Sequence, residues 1–527
     1  MKAFNKLVFF IEILTIVLAV KVKAINIIPQ PEFVSEKQGN YILKNNVGIY
    51  TSKGMDNEVA FLIGILENEQ ALKSSKLKSS KTADIRLLIN KKLQKDLGKE
   101  GYRLRADAAG ILIEASNSTG IFYGIQTLRQ LLKKEAKHTE LGFVMISDRP
   151  RFSWRSYMLD EGRAYKGKAV VKKMLDEMAL LKMNVFHWHL TEDQGWRLAI
   201  EKYPNLTRIG AKRDSTQIGG WNSTKYDAKP LEGYYTKQDI KEIVAYAEKL
   251  HINIVPEIEM PGHASAAVAS YPWLGVTKLP IKVPVNFGVK YDIFDVTDPK
   301  VIDFIHDVLN EVMNLFPSDV IHIGGDEVKY DQWNKSPSVQ AYMKKHKLTS
   351  PADLQLSFTN DISGFLEKKN KRMMGWNDIM GAKLHDYNLD APPVTGMLSK
   401  SAIIQFWKGD LVMIKEAVYN GYDIVNSYHE FTYLDYSSIS LQKAYEFDPV
   451  PKDLEKKYHK KILGFGCQMW GEWITSLDDM YQRTFPRLAA YAEVGWTKLE
   501  NKNFERFQQS LPYFYNQWSG KGISFQK

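Results

Sequence analysis

The apolar and polar positions of this chain fall into two regimes. From about residue 148 onward, short apolar runs alternate with stretches whose apolar residues recur every three or four positions. The first pattern is that of buried strands, the second that of amphipathic helices. The runs predict strands near Ser156–Leu159, Asn184–Leu190, Asn253–Ile258, Val320–Ile323, Arg372–Trp376, Ile403–Trp407, Tyr422–Asn426 and Leu463–Trp470. Helices are predicted between most of them, over Lys168–Lys182, Lys237–Leu250, Pro299–Leu315, Ala352–Lys369 and Leu411–Tyr419. Eight strands alternating with helices predict an α/β fold, a parallel (β/α)8 TIM barrel. Chemistry in such a barrel sits just beyond the carboxyl ends of the strands, so those positions can be read as a set.

Residues 25–147 follow a different pattern. Asn40–Ile49 and Asp84–Asn90 read as extended and Glu58–Leu72 as helical. Residues 101–105 and 110–115 read as a hairpin, and 120–132 as an amphipathic helix. This predicts a smaller α+β domain, without an acid, base or metal cluster of its own, in a supporting role. Asp148-Arg149-Pro150 marks the boundary, and residues 148–527 form the barrel domain, with an aromatic tail from Phe504 expected to pack back on it.

Residues 1–24 are set apart from both domains. Lys2 and Lys6 precede an apolar run from Leu7 to Val20 that ends near Val22-Lys23-Ala24, the pattern of a signal peptide. The run is shorter than the roughly 20 residues of a membrane span and contains Glu12, so stable membrane insertion is not expected. An exported protein, periplasmic or secreted, is the expectation. Cys467 is the single cysteine, so stability rests on a large core and not on disulfides. Of the formal charge of +10, residues 1–24 carry a net +3, which leaves +7 for the remainder. Much of the excess lies between Lys73 and Lys99. These lysines have no interleaved aromatics and no nucleic-acid motif, so they are read as a solvated face, and no nucleic-acid partner is expected.

The candidate chemistry follows from the strand ends. Val320-Ile-His-Ile-Gly324-Gly325-Asp326-Glu327-Val328 is a short apolar strand, two glycines that tolerate unusual backbone angles, and two adjacent carboxylates. Side chains alternate along a strand, so Asp326 and Glu327 begin on opposite faces, and a turn at the glycines would bring both to one pocket. Adjacent like charges resist ionising together, so one carboxyl keeps a proton while the other is an anion, the parts needed to cleave a glycosidic bond. Other strand ends carry Asp160-Glu-Gly-Arg163, Glu192-Asp193 with Trp196 and Arg197, Glu257 to His263, Trp376, Trp407, Tyr433 with Asp435, and Trp470-Gly-Glu472. Aromatic walls beside carboxylates and an arginine suit a sugar ring, with its apolar faces and girdle of hydroxyls. His187 and His189 share one strand face, as metal ligands can. The chain lacks further histidine or cysteine at a strand end beyond His263, so packed histidines are the default, and no metal or cofactor is expected.

These motifs together resemble glycoside hydrolase family 20, the β-N-acetylhexosaminidases. The resemblance rests on Asp160-x-x-Arg163, on His187 to Arg197, on Pro256 to His263 and on His322 to Glu327, and spans nearly the whole chain after residue 24. It implies an exo-acting enzyme that removes terminal N-acetylglucosamine, and N-acetylgalactosamine as a second candidate, from glycans or chitin-type oligosaccharides. It also implies substrate-assisted cleavage with retention, in which the sugar's own 2-acetamido oxygen attacks the anomeric carbon. In that scheme Glu327 is general acid and then base, and Asp326 holds the acetamido N–H. His263 with Glu192 or Asp193 tunes Glu327, where the family often has Asp-Asp in place of Glu192-Asp193. Arg163, Asp435 and Glu472 bind hydroxyls, Trp376, Trp407 and Trp470 wall the pocket, and Tyr433 bonds the acetamido oxygen. A metal-dependent barrel hydrolase using His187 and His189, or a sugar-binding protein without turnover, are the alternatives.

Overall fold

A computed structural model describes residues 25–381, 383–388, 392–474 and 476–527. The predicted signal peptide at 1–24 lies outside the described residues.

The amino-terminal domain is an eight-stranded mixed sheet. Its antiparallel half pairs Phe33–Leu43, Thr139–Asp148, Tyr102–Asp107 and Gly110–Ala115, with the short Lys133–Lys134 also on Thr139–Asp148, and its parallel half adds Ile85–Ile89, Asn46–Thr51 and Lys73–Lys76. Helices Asp56–Asn68 and Ser118–Leu131 supply the apolar cover, with Leu62, Leu66, Ile121, Phe122, Ile125 and Leu128 buried. The extended stretch predicted at Asn40–Ile49 is two strands separated at Lys44–Asn45. Lys73–Lys76, which reads as a solvated lysine face, is a sheet edge held by backbone pairing to Asn46–Thr51. Its side chains are polar because an edge strand needs no buried face and lysines discourage further pairing.

The second domain is a closed, all-parallel barrel. Its strands are β1 (Trp154–Asp160), β2 (Val185–His189), β3 (Asn253–Glu257), β4 (Val320–His322), β5 (Arg372–Trp376), β6 (Ile403–Phe406), β7 (Asp423–Asn426) and β8 (Ile462–Met469), each bonded to the next and β8 to β1. The outer helices include α1 (Lys168–Leu180), α2 (Lys237–Lys249), α3 (Pro299–Leu315), α4 (Pro351–Glu367) and α5 (Val412–Tyr419). Thr236 and Asp239 close a reciprocal capping box at the start of α2, and Pro299 opens α3 where its missing N–H is harmless.

The barrel interior is graded along its axis. At the amino end, Trp154, Val185, Val255, Val320, Met374, Ile403 and Val425, with Leu463, contribute one apolar side chain from each strand to a single layer. Two residues further along the same faces stand His187, Glu257, His322, Trp376 and Gln405, all buried. The period of two along a strand puts both sets inside, so the chain builds an apolar plug first and a polar layer above it.

The two domains share a buried seam. Lys182 Nζ lies 3.2 Å from Asp148 Oδ2 and donates to Tyr102 Oη at 2.9 Å, while Trp496 Nε1 donates to Asp148 at 3.0 Å. The tail forms a helix, Phe504–Gly520, that packs back through Phe507, Leu511, Phe514 and Trp518. Arg506 fastens it by an ion pair to Glu493 and a hydrogen bond to the Ile27 carbonyl.

Candidate active site

The carboxyl rim of the barrel holds a cavity of about 160 Å³ lined by Arg163, Asp326, Glu327, Trp407, Tyr433, Asp435, Tyr436, Trp470, Glu472, Trp473 and Trp221. A space of that size, walled at its far end by Arg163 and Glu472, suits a single ring and not a chain. A larger cavity of about 880 Å³ lies at the opposite end, between the domains, lined by Lys99, Arg149, Arg151, Lys460 and Lys498 among others. It has no pair of acids, and the chemistry belongs to the smaller one.

Asp326 and Glu327 reach the same cavity because the backbone turns at the glycines. Gly324, Gly325 and Glu327 have φ of +63°, +86° and +52°. A Cβ on Gly324 would stand 1.8 Å from Glu259 Oε2, so a side chain at that position is excluded twice, by angle and by space. The turn brings the two carboxyls, which leave a regular strand on opposite faces, to one space.

His263, at φ +48° after β3, faces both acids. Its Nε2 lies 3.6 Å from Glu327 Oε2 and 3.8 Å from Asp326 Oδ2, and its Nδ1 lies 2.7 Å from Glu192 Oε1. Asp193 is turned elsewhere: its Oδ1 accepts from the Ser265 N–H at 2.9 Å and hydroxyl at 2.6 Å, leaving Oδ2 at 3.4 Å from His263. Glu192 is therefore the partner of His263, a choice that neighbouring acids in a sequence leave open.

The electrostatics separate the two acids. Burial, joined by the charges of Asp378, Glu327 and Glu257 and opposed by His263, pushes Asp326 well above the usual carboxylate range. Burial would also raise Glu327, yet His263, with His385 and Arg163 behind it, holds that carboxyl lower. Burial works against a charged His263, but Glu192, Asp193 and Asp326 hold its pKa well above the ordinary imidazole value. These directions favour a proton on Asp326 over one on Glu327, and a charged His263.

The far end of the cavity is built on Arg163. It contacts Asp160 Oδ2 at 3.1 Å, Glu192 Oε2 at 3.2 Å and Glu472 Oε1 at 3.5 Å, and lies 5.1 Å over the Trp470 ring. Three carboxylates fix its guanidinium from behind. Burial and the Glu472 charge push Asp435 up to about 8. Trp407 and Tyr433 run parallel, 7° apart with centroids at 6.2 Å, and Tyr433 packs on Trp470 at 5.7 Å. Trp376 is 1% exposed and forms the floor behind Trp470, donating its Nε1–H to Glu257 Oε1 at 2.8 Å.

His187, His189 and His322 lie below that floor. His187 Nε2 is 2.8 Å from Glu257 Oε2, His322 Nδ1 is 2.9 Å from Glu257 Oε1, and His189 Nε2 is 3.2 Å from Glu259 Oε1. These groups have the makings of a ligand set, His187, Glu257 and His322 among them. Two ligands on one tetrahedral zinc stand about 3.3 Å apart, whereas His187 Nε2 and Glu257 Oε2 approach to 2.8 Å without hydrogen-bond geometry, and His322 Nδ1 is already an acceptor, from the Gly324 N–H at 3.0 Å. Burial opposes charge on Glu257, yet the imidazoles of His322, His189 and His187 hold it well below the usual carboxylate range. The three imidazoles surround a buried carboxylate that accepts the Nε1–H of the Trp376 floor.

Sequence reasoning named Asp160 only within its motif, without a role, and did not single out Asp378, His385, Trp221 or Trp473. Asp160 and Asp378 carry a signal, since both stand at or just past a strand end. His385, Trp221 and Trp473 lie in loops, and which loop folds over the rim is set by tertiary packing.

A parallel barrel whose carboxyl rim carries adjacent acids, an anchored arginine and an aromatic cage for one ring defines a glycoside hydrolase. Residues 152–499 match the family model for the glycosyl hydrolase family 20 catalytic domain, and residues 24–149 match that family's domain 2. A β-hexosaminidase of Porphyromonas gingivalis is 33% identical over 520 residues, covering 93% of this chain and 62% of its own length. One of Akkermansia muciniphila is 30% identical over 431 residues, covering 79% of this chain and 83% of its own length. Among solved structures, the family 20 exo β-N-acetylglucosaminidase of Vibrio harveyi, in complex with N-acetylglucosamine, superposes with a TM-score of 0.82 at 28% identity, covering 95% of this chain and 78% of that one. The β-N-acetylhexosaminidase of Bacteroides fragilis gives 0.79 at 30% identity, covering 95% and 96%. The chain belongs to glycosyl hydrolase family 20.

Proposed function

We propose that this protein is an exo-acting β-N-acetylhexosaminidase that removes single N-acetylglucosamine residues, and N-acetylgalactosamine as the alternative sugar, from the non-reducing ends of glycans. The observation that carries this reading is the single-ring cavity into which Asp326 and Glu327 both project, closed at its far end by Arg163 and Glu472. A chain cannot thread through such a pocket, so the reacting sugar is a terminal one.

The cleavage follows from the placement of the acids. A bound 2-acetamido sugar directs its N–H at Asp326, which favours the anion there and returns the shared proton to Glu327. The amide oxygen attacks the anomeric carbon as Glu327 protonates the departing oxygen, giving an oxazolinium ion stabilised by Asp326. Glu327, now a base, takes a proton from the water that opens the ring, and the configuration is retained. No enzyme nucleophile takes part, so two acids adjacent in sequence suffice: they act on different atoms of one sugar.

The test is release of 4-nitrophenol from the β-glycosides of N-acetylglucosamine and of glucose by wild type and Glu327→Gln. Turnover of the acetamido sugar alone, lost in the variant, is expected. Equal turnover of the glucoside contradicts the mechanism.

We also propose that the enzyme is exported, on the strength of Lys2, Lys6 and the apolar run from Leu7 to Val20. No helix among the described residues is long and apolar enough to cross a membrane. Amino-terminal sequencing of protein recovered outside the cytoplasm should begin near Ile25; a chain still beginning at Met1 there contradicts cleavage.

A further inference from the structure

Glu327 is flanked on both sides by an imidazole that is itself backed by a carboxylate. One side is His263 with Glu192. On the other, His385 Nδ1 lies 3.7 Å from Glu327 Oε1, and His385 Nε2 lies 2.7 Å from Asp378 Oδ1. The His385 ring is buried and fixed by its neighbours. It stacks on Tyr387 at 5.1 Å and 5°, and faces Trp407 at 5.9 Å. Lys329 caps the outer face of Tyr387 at 3.5 Å.

Asp378 joins three parts of the site. Its Oδ1 also accepts from the Glu327 backbone N–H at 3.3 Å, and its Oδ2 accepts from Trp407 Nε1 at 2.8 Å. One carboxylate therefore ties the backbone of the general acid, the imidazole beside its carboxyl, and a wall of the sugar cavity. The side chain of Glu327 is 25% exposed at the rim and has three rotatable bonds. His263 Nε2 at 3.6 Å from Oε2 and His385 Nδ1 at 3.7 Å from Oε1 both stand just beyond hydrogen-bond length, and one imidazole closing on Oε2 would still leave the carboxyl plane free to turn. A second imidazole near Oε1 defines the plane.

We propose that His385, held by Asp378, is a positioning residue for the general acid, orienting the Glu327 carboxyl so that its proton points at the leaving oxygen. The inference rests on the hexosaminidase reading. As the bond from the anomeric carbon to the leaving oxygen breaks and the amide oxygen bonds to that carbon, the proton passes from Glu327 to the leaving oxygen. His385 gains and loses none. The other groups whose charge or ring bears on Glu327 are His263, Asp326, Arg163, Tyr387 and Tyr436.

The test separates positioning of a proton from general support. A poor leaving group such as methoxide needs the proton, whereas 4-nitrophenolate departs with little help. His385→Phe keeps a ring between Tyr387 and Trp407 and removes both nitrogens. It is expected to lower kcat/KM for methyl N-acetyl-β-glucosaminide about 10- to 100-fold, within the range of general acid catalysis, and to change the 4-nitrophenyl glycoside less than about threefold. His385→Gln, which retains an N–H donor, should recover part of the loss, and it carries the test if the phenylalanine variant loses its native melting transition. Equal losses on both substrates, or none, overturn the proposal. A wild type inactive on both glycosides overturns instead the reading on which it rests.

Discussion

Replacing Glu192 by aspartate tests the chain of contacts that controls Glu327. The change withdraws the carboxylate by one methylene, about 1.5 Å. Glu192 Oε1 is 2.7 Å from His263 Nδ1, so the gap opens to about 4 Å, beyond a hydrogen bond. The two side chains are 1% and 3% exposed, and bulk water cannot take the place of the lost oxygen. Asp193 Oδ2 stands 3.4 Å from His263 Nδ1, but its Oδ1 is tied to Ser265 at 2.9 and 2.6 Å, so closing the gap to a full hydrogen bond would strain that pair. A hydrogen bond between charged groups contributes about 1.5–3 kcal/mol. Expressed wholly in the transition state, that loss lowers kcat/KM by about 10- to 150-fold. The assay is kcat/KM on methyl N-acetyl-β-glucosaminide, whose leaving group needs the Glu327 proton, with a melting curve to confirm the fold. Glu192→Gln keeps the reach and loses the charge, and should fall between wild type and aspartate. A Glu192→Asp enzyme within twofold of wild type would refute the assignment of Glu192 as the partner of His263.

Three further outcomes follow from the same geometry. Gly324→Ala combines a left-handed backbone angle with a Cβ 1.8 Å from the buried Glu259 carboxylate, which must then leave His189; a loss of about 3 kcal/mol or more in urea unfolding is expected, and wild-type stability would contradict it. Asp435 is held up to about 8 when folded and ionises near 3.9 when unfolded, so the folded chain keeps a proton that the unfolded chain has released, and stability from this group falls as pH rises between those values. Asp435→Asn cannot ionise, so its advantage in melting temperature over wild type should grow from pH 5 to 8; parallel pH profiles would contradict the assignment. Lys182→Met strands Asp148 in the seam between the domains, and breaking such a buried pair should cost about 3–5 kcal/mol in calorimetric unfolding; an unchanged transition would show that Tyr102, Trp496 and the Glu32 N–H satisfy Asp148 without the lysine.

The barrel was legible because its strands are buried on both faces and read as apolar runs, while α2 and α3 carry an apolar stripe and explicit start signals. Lys73–Lys76 was not, since an edge strand of lysine and serine has neither apolar alternation nor branched residues, and only pairing makes it a strand. The acids Asp326 and Glu327 stood out through the two glycines before them, which declare a turn whose geometry the structure supplies. Choosing Glu192 over Asp193 depends on where Ser265 stands, 72 residues further along. His385 offers no periodicity and no motif. Its role comes from a loop that closes over Trp407, a contact written in the packing of two strand ends and not in either segment alone.

The account rests on the sugar's own amide as nucleophile, and the most direct measurement is the rate on 4-nitrophenyl glycosides of glucosamine bearing acetyl, fluoroacetyl and trifluoroacetyl groups. Fluorine withdraws electron density from the amide oxygen that must attack the anomeric carbon. The account predicts that kcat falls steeply with each added fluorine, while the same series under Glu327→Gln is slow throughout. Rates indifferent to fluorination would mean that an enzyme carboxylate or water attacks instead, and would contradict it.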